Sequence, residues 1–516
     1  MKRELTNGFR HAAVWAVLFC LSILIAPAAV AQPLNLKGLD RYIEKARQAW
    51  QIPGLSIAIV YRDSVIFAKG YGVRELGKPE PVTPHTVFAI ASNSKAFTAA
   101  ALGMLVDEGK LSWDDRVVDH LPEFQLYDPF ATRDMRVRDL LCHRSGLPTF
   151  GGDHLWIAST LDTREIMRRL RYLKPSAPLR ARFQYQNLMF MVAGEVLRAV
   201  SGRSWAEFIQ TRILEPLGMK ESNTSIRFLK GHPQAARAHE TIDGRIRVVP
   251  YDSVDAVAAA GAINASVLDM TRWMRLNLNM GELEGKRLFS KRVAREMQTI
   301  HTPIPVSEFE ERTYGRRFRG YGLGWNISDY HGHKIVQHGG GLTGMISLQT
   351  LVPEKQFGVM IMTNYSPNSL PRALTYRILD ELFGLPPRDW SRIFLQRQEK
   401  EKAAEREREK ALQEQRIQGT RPSLNLEQYV GIYSNPLSGE ARIELVNGRL
   451  KFYYNPRHQG YLEHWHYDTF RLTWINPIFD MPGKAFLTFY LDESGRVVKL
   501  RTRFYHPIEF ERIGGR

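Results

Sequence analysis

Two apolar runs, Leu55-Ser56-Ile57-Ala58-Ile59-Val60-Tyr61 and Val65-Ile66-Phe67-Ala68-Lys69-Gly70-Tyr71, are rich in β-branched and aromatic residues. The polar break Arg62-Asp63-Ser64 between them predicts a β-hairpin. From Ser94 to Glu108 the spacing turns helical, and Gly109 stands where a C-terminal cap is expected. Ala96, Phe97, Ala99, Ala100, Leu102, Met104 and Leu105 wrap most of that helix, so it is predicted to be buried. Arg164 to Leu173, Met189 to Val200 and Trp205 to Leu214 carry helical spacing. Strand character returns at Tyr321 to Ile327, Lys334 to Gln337, Met345 to Val352 and Phe357 to Asn364, before a closing helix at Arg372 to Phe383. The first hairpin and these late strands are expected to form one antiparallel sheet with helices on its faces. Residues 38–388 thus read as one α/β domain of the α+β type.

The pattern then changes. Pro386-Pro387 stops the helix, and Gln396 to Gln415 mixes Glu, Lys, Arg, Gln and Ala with few large apolar residues. Residues 389–422 therefore read as a charged helical linker, and the missing apolar seam speaks against a coiled coil. In 423–516 short strands dominate. Ala441 to Val446 and Arg449 to Tyr454 flank Asn447-Gly448, while Phe486 to Leu491 and Val497 to Phe504 flank Ser494-Gly495. A small antiparallel barrel or sandwich is expected there. No internal repeat is visible.

Lys2, Arg3 and Arg10, the apolar stretch Ala12 to Ala26 and the small residues Ala29-Val30-Ala31 identify 1–31 as a signal peptide. The expected location is the periplasm or the medium, with an uncleaved membrane anchor as the alternative. Bulky Phe19 before Cys20 argues against lipid attachment. The exported chain would keep one cysteine, Cys142, read as a core residue beside Leu140 and Leu141, with no internal disulfide.

At 516 residues the chain exceeds what one core usually holds, so two or more domains are expected. The net charge of +17 suits contact with anionic polymers or lipid headgroups, while the plainer reading is a generally cationic soluble protein. No zinc finger, basic heptad region or RNA-binding aromatic signature is present, so nucleic acid is not expected as a partner.

Three short motifs carry the chemistry. Ser92 is the one serine with a lysine, Lys95, three residues later, a spacing that puts both side chains on one helix face. A serine hydroxyl needs a base to become a nucleophile, and a lysine serves as one only when burial keeps it neutral. Tyr185 and Asn187 lie two apart, so in extended chain they point the same way. A phenol can relay a proton, and a carboxamide can both donate to and accept from a substrate amide. The plainer reading is a core tyrosine and a helix cap. His338-Gly339-Gly340-Gly341 follows the strand-like Lys334 to Gln337. Its glycines permit close approach to a ligand, and the Gly341 N–H could join that of Ser92 as an oxyanion hole. His338 would place a titratable group there, while the plainer reading is a turn with an exposed histidine. The histidine pairs His331/His333 and His464/His466 lack a third ligand at recognisable spacing and read as strand-face pairs, so no metal is expected. No Gly-x-Ser-x-Gly elbow exists to support an α/β-hydrolase.

Together the motifs resemble the serine β-lactamase and penicillin-binding protein family, in its class C β-lactamase, D-alanyl-D-alanine carboxypeptidase and esterase branch. Pro53-Gly54-Leu55-Ser56, Leu141-Cys142-His143-Arg144-Ser145-Gly146-Leu147 and Ala260-Gly261-Ala262-Ile263-Asn264 fit the same resemblance. It implies a β-lactamase/transpeptidase-like fold and no cofactor. It also implies Ser92 as acylated nucleophile, Lys95 as general base, Tyr185 as proton carrier and Asn187 as substrate amide ligand; His338 and Gly340 are expected beside Asn187 as substrate-binding groups. The expected substrate is a small molecule or peptide, including peptidoglycan-derived peptides, esters and β-lactams. Class C β-lactamases usually carry Lys-Thr-Gly where this chain has His338-Gly339-Gly340. A histidine is charged only part of the time near neutral pH, so peptidase or esterase activity is expected over efficient β-lactam hydrolysis. A penicillin-binding sensor without turnover, or a cell-envelope binding protein, is the alternative. The C-terminal part resembles the small β-domain often appended to such hydrolases, notably at Glu463 to Phe470.

Overall fold

The computed structural model describes residues 34–479, 485–503 and 507–514. The segment read as an export signal, with Cys20, lies outside the described residues. Among those described, no helix is long and apolar enough to cross a membrane.

The helices that place the site are α1 (Leu36–Ala49), α2 (Ser94–Asp107), α3 (Asn187–Ser201), α4 (Val267–Leu278), α5 (Leu370–Leu382) and α6 (Trp390–Glu414). The strands of the main sheet are β1 (Gly54–Tyr61), β2 (Ser64–Gly72), β3 (Thr302–Pro303), β4 (Arg319–Tyr321), β5 (Asn326–Tyr330), β6 (His333–Leu342), β7 (Met345–Val352) and β8 (Phe357–Thr363). They form one eight-stranded sheet in the order β2-β1-β8-β7-β6-β5-β4-β3, and every pairing is antiparallel. The first hairpin thus joins the late strands through β1 and β8, with Ile57 opposite Ile361.

Two apolar layers enclose this sheet. On β8, Phe357, Val359 and Ile361 pack with α1, α5 and Trp390, while Met360 and Met362 pack into the larger cluster built around α2, α3 and α4. Strand alternation sends successive side chains to opposite layers, so a strand buried on both faces reads as a continuous apolar run. Local signals start and stop the helices. Ser266 caps α4 by accepting from the Asp269 N–H at 3.1 Å, and Gly202 ends α3 in the left-handed region at φ 72°.

Two expectations are refined. The run expected from Tyr321 to Ile327 divides into β4 and β5, because Gly324 adopts φ 76° where an added Cβ would lie 2.7 Å from the Lys95 carbonyl oxygen. The strand expected to stop at Gln337 continues through the glycines to Leu342. Cys142 is a fully buried free thiol, its pKa pushed up to about 12 by burial.

Beyond Pro387 comes α6, capped by Asp389, with Trp390 and Phe394 buried and most of its length in solvent. The chain then forms β9 (Gly431–Asn435), β10 (Gly439–Val446), β11 (Arg449–Tyr453), β12 (Gln459–His466), β13 (Thr469–Trp474), β14 (Phe486–Leu491), β15 (Val497–Arg503) and β16 (Pro507–Gly514). These close into an eight-stranded barrel. Its interior is filled by Tyr429, Tyr433, Phe452, Phe470, Leu472, Phe489 and Phe510 among others.

Candidate active site

Ser92 sits in a 3-10 turn, Ala91–Asn93, immediately before α2. Ala91 there has φ 48°, a left-handed backbone that costs about 1–2 kcal/mol for a residue with a Cβ. The turn is held from several sides. Asn93 donates to the Ser347 hydroxyl at 2.8 Å, and that hydroxyl donates to the Ile90 carbonyl at 2.8 Å. Ser94 donates to the Ala91 carbonyl at 2.7 Å and accepts from the Ile263 N–H at 3.0 Å.

Lys95, one helical turn on, is fully buried. Its Nζ lies 3.0 Å from Ser92 Oγ, 2.8 Å from Asn187 Oδ1 and 2.8 Å from the Ala260 carbonyl oxygen. The rings of Tyr185 and Phe190 flank it, their centroids 4.9 and 5.2 Å away. Burial in these surroundings pulls its pKa down to about 7, against a smaller opposing pull from the Asp153 carboxylate. A neutral amine has two hydrogens and one lone pair. Asn187 and Ala260 supply acceptors for the hydrogens, which leaves the lone pair for the Ser92 hydroxyl.

Tyr185 is hydrogen-bonded to Ser92, and burial raises its pKa, so it stays a phenol across the physiological range. It precedes α3 in an extended segment that His143 holds from behind. His143 Nδ1 accepts the Gln186 N–H at 3.0 Å, and its ring centroid lies 4.1 Å from that of Tyr185. The N-cap of α3 is Gln186, which accepts from the Leu188 N–H at 3.1 Å, so Asn187 is free to face Lys95. Its amide NH2 donates to Asp153 Oδ2 at 2.8 Å, which orients its oxygen toward the lysine. Asp153, buried in a 3-10 turn, has its pKa pushed up to about 6, mainly by burial.

β6 passes the Ser92 turn at very close range. A Cβ on Gly340 would lie 2.0 Å from the Ile90 carbonyl oxygen, so no other residue fits there without displacing the strand. β5 pairs with β6 only as far as Gln337, and among the described residues the β5 side of the stretch from His338 to Leu342 has no ladder partner. Gly341 is exposed at this open stretch.

His338 departs from the expectation of a group titrating near neutrality. It is 2% exposed, its Nδ1 lies 2.7 Å from the Gly339 carbonyl oxygen, and its Nε2 lies 2.7 Å from the Tyr321 hydroxyl. The carbonyl can only accept, so Nδ1 carries the proton and Nε2 accepts from Tyr321. Burial and the nearby Lys95 pull its pKa down to about 3, so it is neutral at any pH where the fold would be used.

The fold therefore brings Ser92, Lys95, Tyr185, Asn187, His338 and the glycine run to one locus. It adds three groups to which sequence reasoning gave no role: the Ala260 carbonyl, His143 and Asp153. The first two fall in phrases already singled out by resemblance. Asp153 stands in an irregular stretch with no periodic or motif signal.

A sequence profile described as "Beta-lactamase" matches residues 39–383, and one for a domain of unknown function, DUF3471, matches 415–512. Unguisins hydrolase ungD' of Aspergillus campestris (strain IBT 28561) is 30% identical over 416 residues, covering 76% of this chain and 75% of its own. Protein flp of Staphylococcus aureus (strain N315) is 26% identical over 345 residues, covering 66% of this chain and 65% of its own. Among solved structures, the octameric penicillin-binding protein homologue from Pyrococcus abyssi aligns over 93% of this chain and 100% of its own. Its TM-score is 0.62 at 24% identity, a likeness of fold.

Proposed function

This chain belongs to the beta-lactamase family and is a serine hydrolase of that fold, and from this premise we propose that it is an exported acyl-transfer enzyme working through a Ser92 ester. Its substrates are peptides of the D-amino-acid type or simple esters rather than β-lactams turned over efficiently. The observation that carries the reading is the neutral-capable amine of Lys95 set 3.0 Å from Ser92 Oγ, with its other two partners both acceptors.

In this reading Lys95 takes the Ser92 proton as Oγ attacks the substrate carbonyl carbon. The Ser92 and Gly341 N–H groups receive the developing oxyanion, and such a donor is typically worth about 3 kcal/mol of barrier. Tyr185, held as a phenol, hands its proton to the departing group and regains one from the Lys95 ammonium, so the Ser92 proton leaves with the departing group and Lys95 is again neutral. Asn187 keeps Lys95 aligned and offers its amide to the substrate, beside His338 and Gly340. Water then cleaves the ester. A neutral, buried His338 with both ring nitrogens engaged by Gly339 and Tyr321 provides no cation for a substrate carboxylate, which favours esters and neutral-ended peptides.

Hydrolysis of 4-nitrophenyl butyrate, with labelling by a fluorophosphonate and a fluorescent penicillin, tests the proposal. Wild type is expected to turn over the ester repeatedly and to carry label on the peptide containing Ser92. Ser92→Ala should lose at least about a thousandfold in kcat/KM. An undiminished rate in that variant, or label on another residue, defeats the assignment. One stoichiometric burst without turnover would instead mark a sensor.

A further inference from the structure

The barrel touches the catalytic domain at the walls of the Ser92 site. Leu437, in the loop between β9 and β10, and Ile478, after β13, both pack against the core that contains α2 and α3. Arg169 donates to the Leu437 carbonyl oxygen at 3.2 Å. The neighbouring Ser438 hydroxyl lies 3.0 Å from His154 Nε2, and Ser438 is 4% exposed. The loop arrives preformed. Asn435 Oδ1 accepts the N–H groups of Leu437 and Ser438 at 2.9 and 2.8 Å, and the Tyr454 hydroxyl donates to the Ser438 carbonyl at 2.7 Å.

A second barrel loop contacts the catalytic domain beside the turn that ends β6. Arg457 lies 3.7 Å from Asp252, whose other carboxylate oxygen accepts the Thr343 N–H at 3.2 Å. Thr343 is in the turn that ends β6, two residues past Gly341.

The first contact leads straight to the base. His154 and Asp153 share one 3-10 turn. From Asp153 the hydrogen bonds run to Asn187 at 2.8 Å, to Lys95 at 2.8 Å and to Ser92 at 3.0 Å. We propose that the C-terminal barrel is a working part of the acyl-transfer site, in which Ser438 fixes the turn bearing His154 and Asp153 and thereby sets the position of Asn187 and Lys95. This rests on the reading of Ser92 as the acylated nucleophile. Asp153 and Ser438 are then positioning residues. They touch no substrate and act through Asn187.

A positioning role can be separated from a merely structural one because Asp153 is ionised above about pH 6, where Lys95 loses its proton. Lys95 faces Asp153 from the 3-10 turn, Tyr185 and Asn187 at the start of α3, His143 behind them and His338 on β6. His143 and His338 are held neutral by burial and Tyr185 stays a phenol, so Asp153 supplies the one formal charge among them. Its removal makes the protonated amine easier to deprotonate.

The test is the pH profile of kcat/KM for 4-nitrophenyl butyrate on the full chain, with active sites counted by a fluorophosphonate. Asp153→Asn keeps an acceptor oxygen for Asn187 but no charge, and its acid limb should move down by about one pH unit. Ser438→Ala should lower kcat/KM about fivefold and move the limb in the same direction, while Ser438→Thr restores both. In the double variant Asp153→Asn/Ser438→Ala the limb should stay where Asp153→Asn alone puts it. A profile of Asp153→Asn that superimposes on wild type, or a Ser438→Ala enzyme within twofold of wild type with an unmoved limb, overturns the proposal. Wild-type enzyme that takes no label at Ser92 overturns the hydrolase reading itself.

Discussion

Lys95 meets two demands that conflict. Catalysis in the proposed reading needs its lone pair, which requires a dry site, and a dry site penalises the charged form a lysine would otherwise take. Its pKa of about 7 in the fold lies below the 10.5 of the free side chain, so between those values the unfolded chain binds more protons. Stability therefore rises with pH across that window, and the penalty is fully expressed below about pH 7. Its size is on the order of 4 kcal/mol, partly offset by hydrogen bonds worth about 1 kcal/mol each. Lys95→Met should consequently be inactive yet more stable than wild type by about 1–2 kcal/mol at pH 6, with the gain gone by pH 10. Chemical denaturation at both pH values decides it, and a variant less stable at pH 6 would contradict the argument. For the wild-type enzyme, activity should climb between pH 6 and 8 with a midpoint at about 7, as Lys95 loses its proton. This residue pair was legible in the sequence because three positions on a helix is a local spacing. Asp153 was not, since only the folded chain brings an acid from an irregular turn within reach of Asn187.

At the scale of elements, the strand β6 shows why glycine misleads sequence reasoning. Three glycines lower strand propensity, so the apolar pattern ends at Gln337, yet pairing with β7 runs on to Leu342. The glycines are there for clearance, and the two that matter most differ in consequence. Gly340 faces the Ile90 carbonyl, whereas a Cβ on Gly341 would meet only Ile346 Cδ1, at 3.3 Å. Gly340→Ala must push β6 away from the Ser92 turn and is expected to cost about a hundredfold in kcat/KM. Gly341→Ala keeps its N–H and should stay within about fivefold of wild type, because one flexible side-chain end can yield. Equal losses from both substitutions, measured on the same ester, would remove the case for close approach at Gly340. The hairpins, α2 and the antiparallel sheet were readable because each is coded by nearby residues. The order β2-β1-β8-β7 was expected only in outline, since strands distant in sequence pair through packing that no local pattern records.

For the whole molecule the question is what keeps the barrel on the catalytic domain. α6 is the covalent link, but it is largely solvated beyond Phe394. The pair of Glu409 with buried Arg471 ties the helix to the barrel rather than the barrel to the catalytic domain. The intrahelical ion pairs of α6, such as Arg397–Glu401 at 2.9 Å, are exposed. Pairs of that kind contribute about 0.3–0.5 kcal/mol each and cannot fix a domain in place. The contacts that can are elsewhere: Leu437 and Ile478 on the core, Arg169 on the Leu437 carbonyl and Ser438 on His154. Burying two large aliphatic side chains is worth about 2–4 kcal/mol together, and the polar contacts add about 1 kcal/mol each. Intramolecular docking needs no more, because the linker supplies an effective concentration in the millimolar range. Trypsin cleavage confined to the exposed stretch from Lys400 to Arg408 should leave the two fragments associated at high protein concentration, with ester hydrolysis within twofold of the uncut chain. On dilution into the nanomolar range they should separate on gel filtration, and hydrolysis per Ser92 should fall in step with separation. Fragments that part while hydrolysis holds constant would make the barrel a tethered passenger.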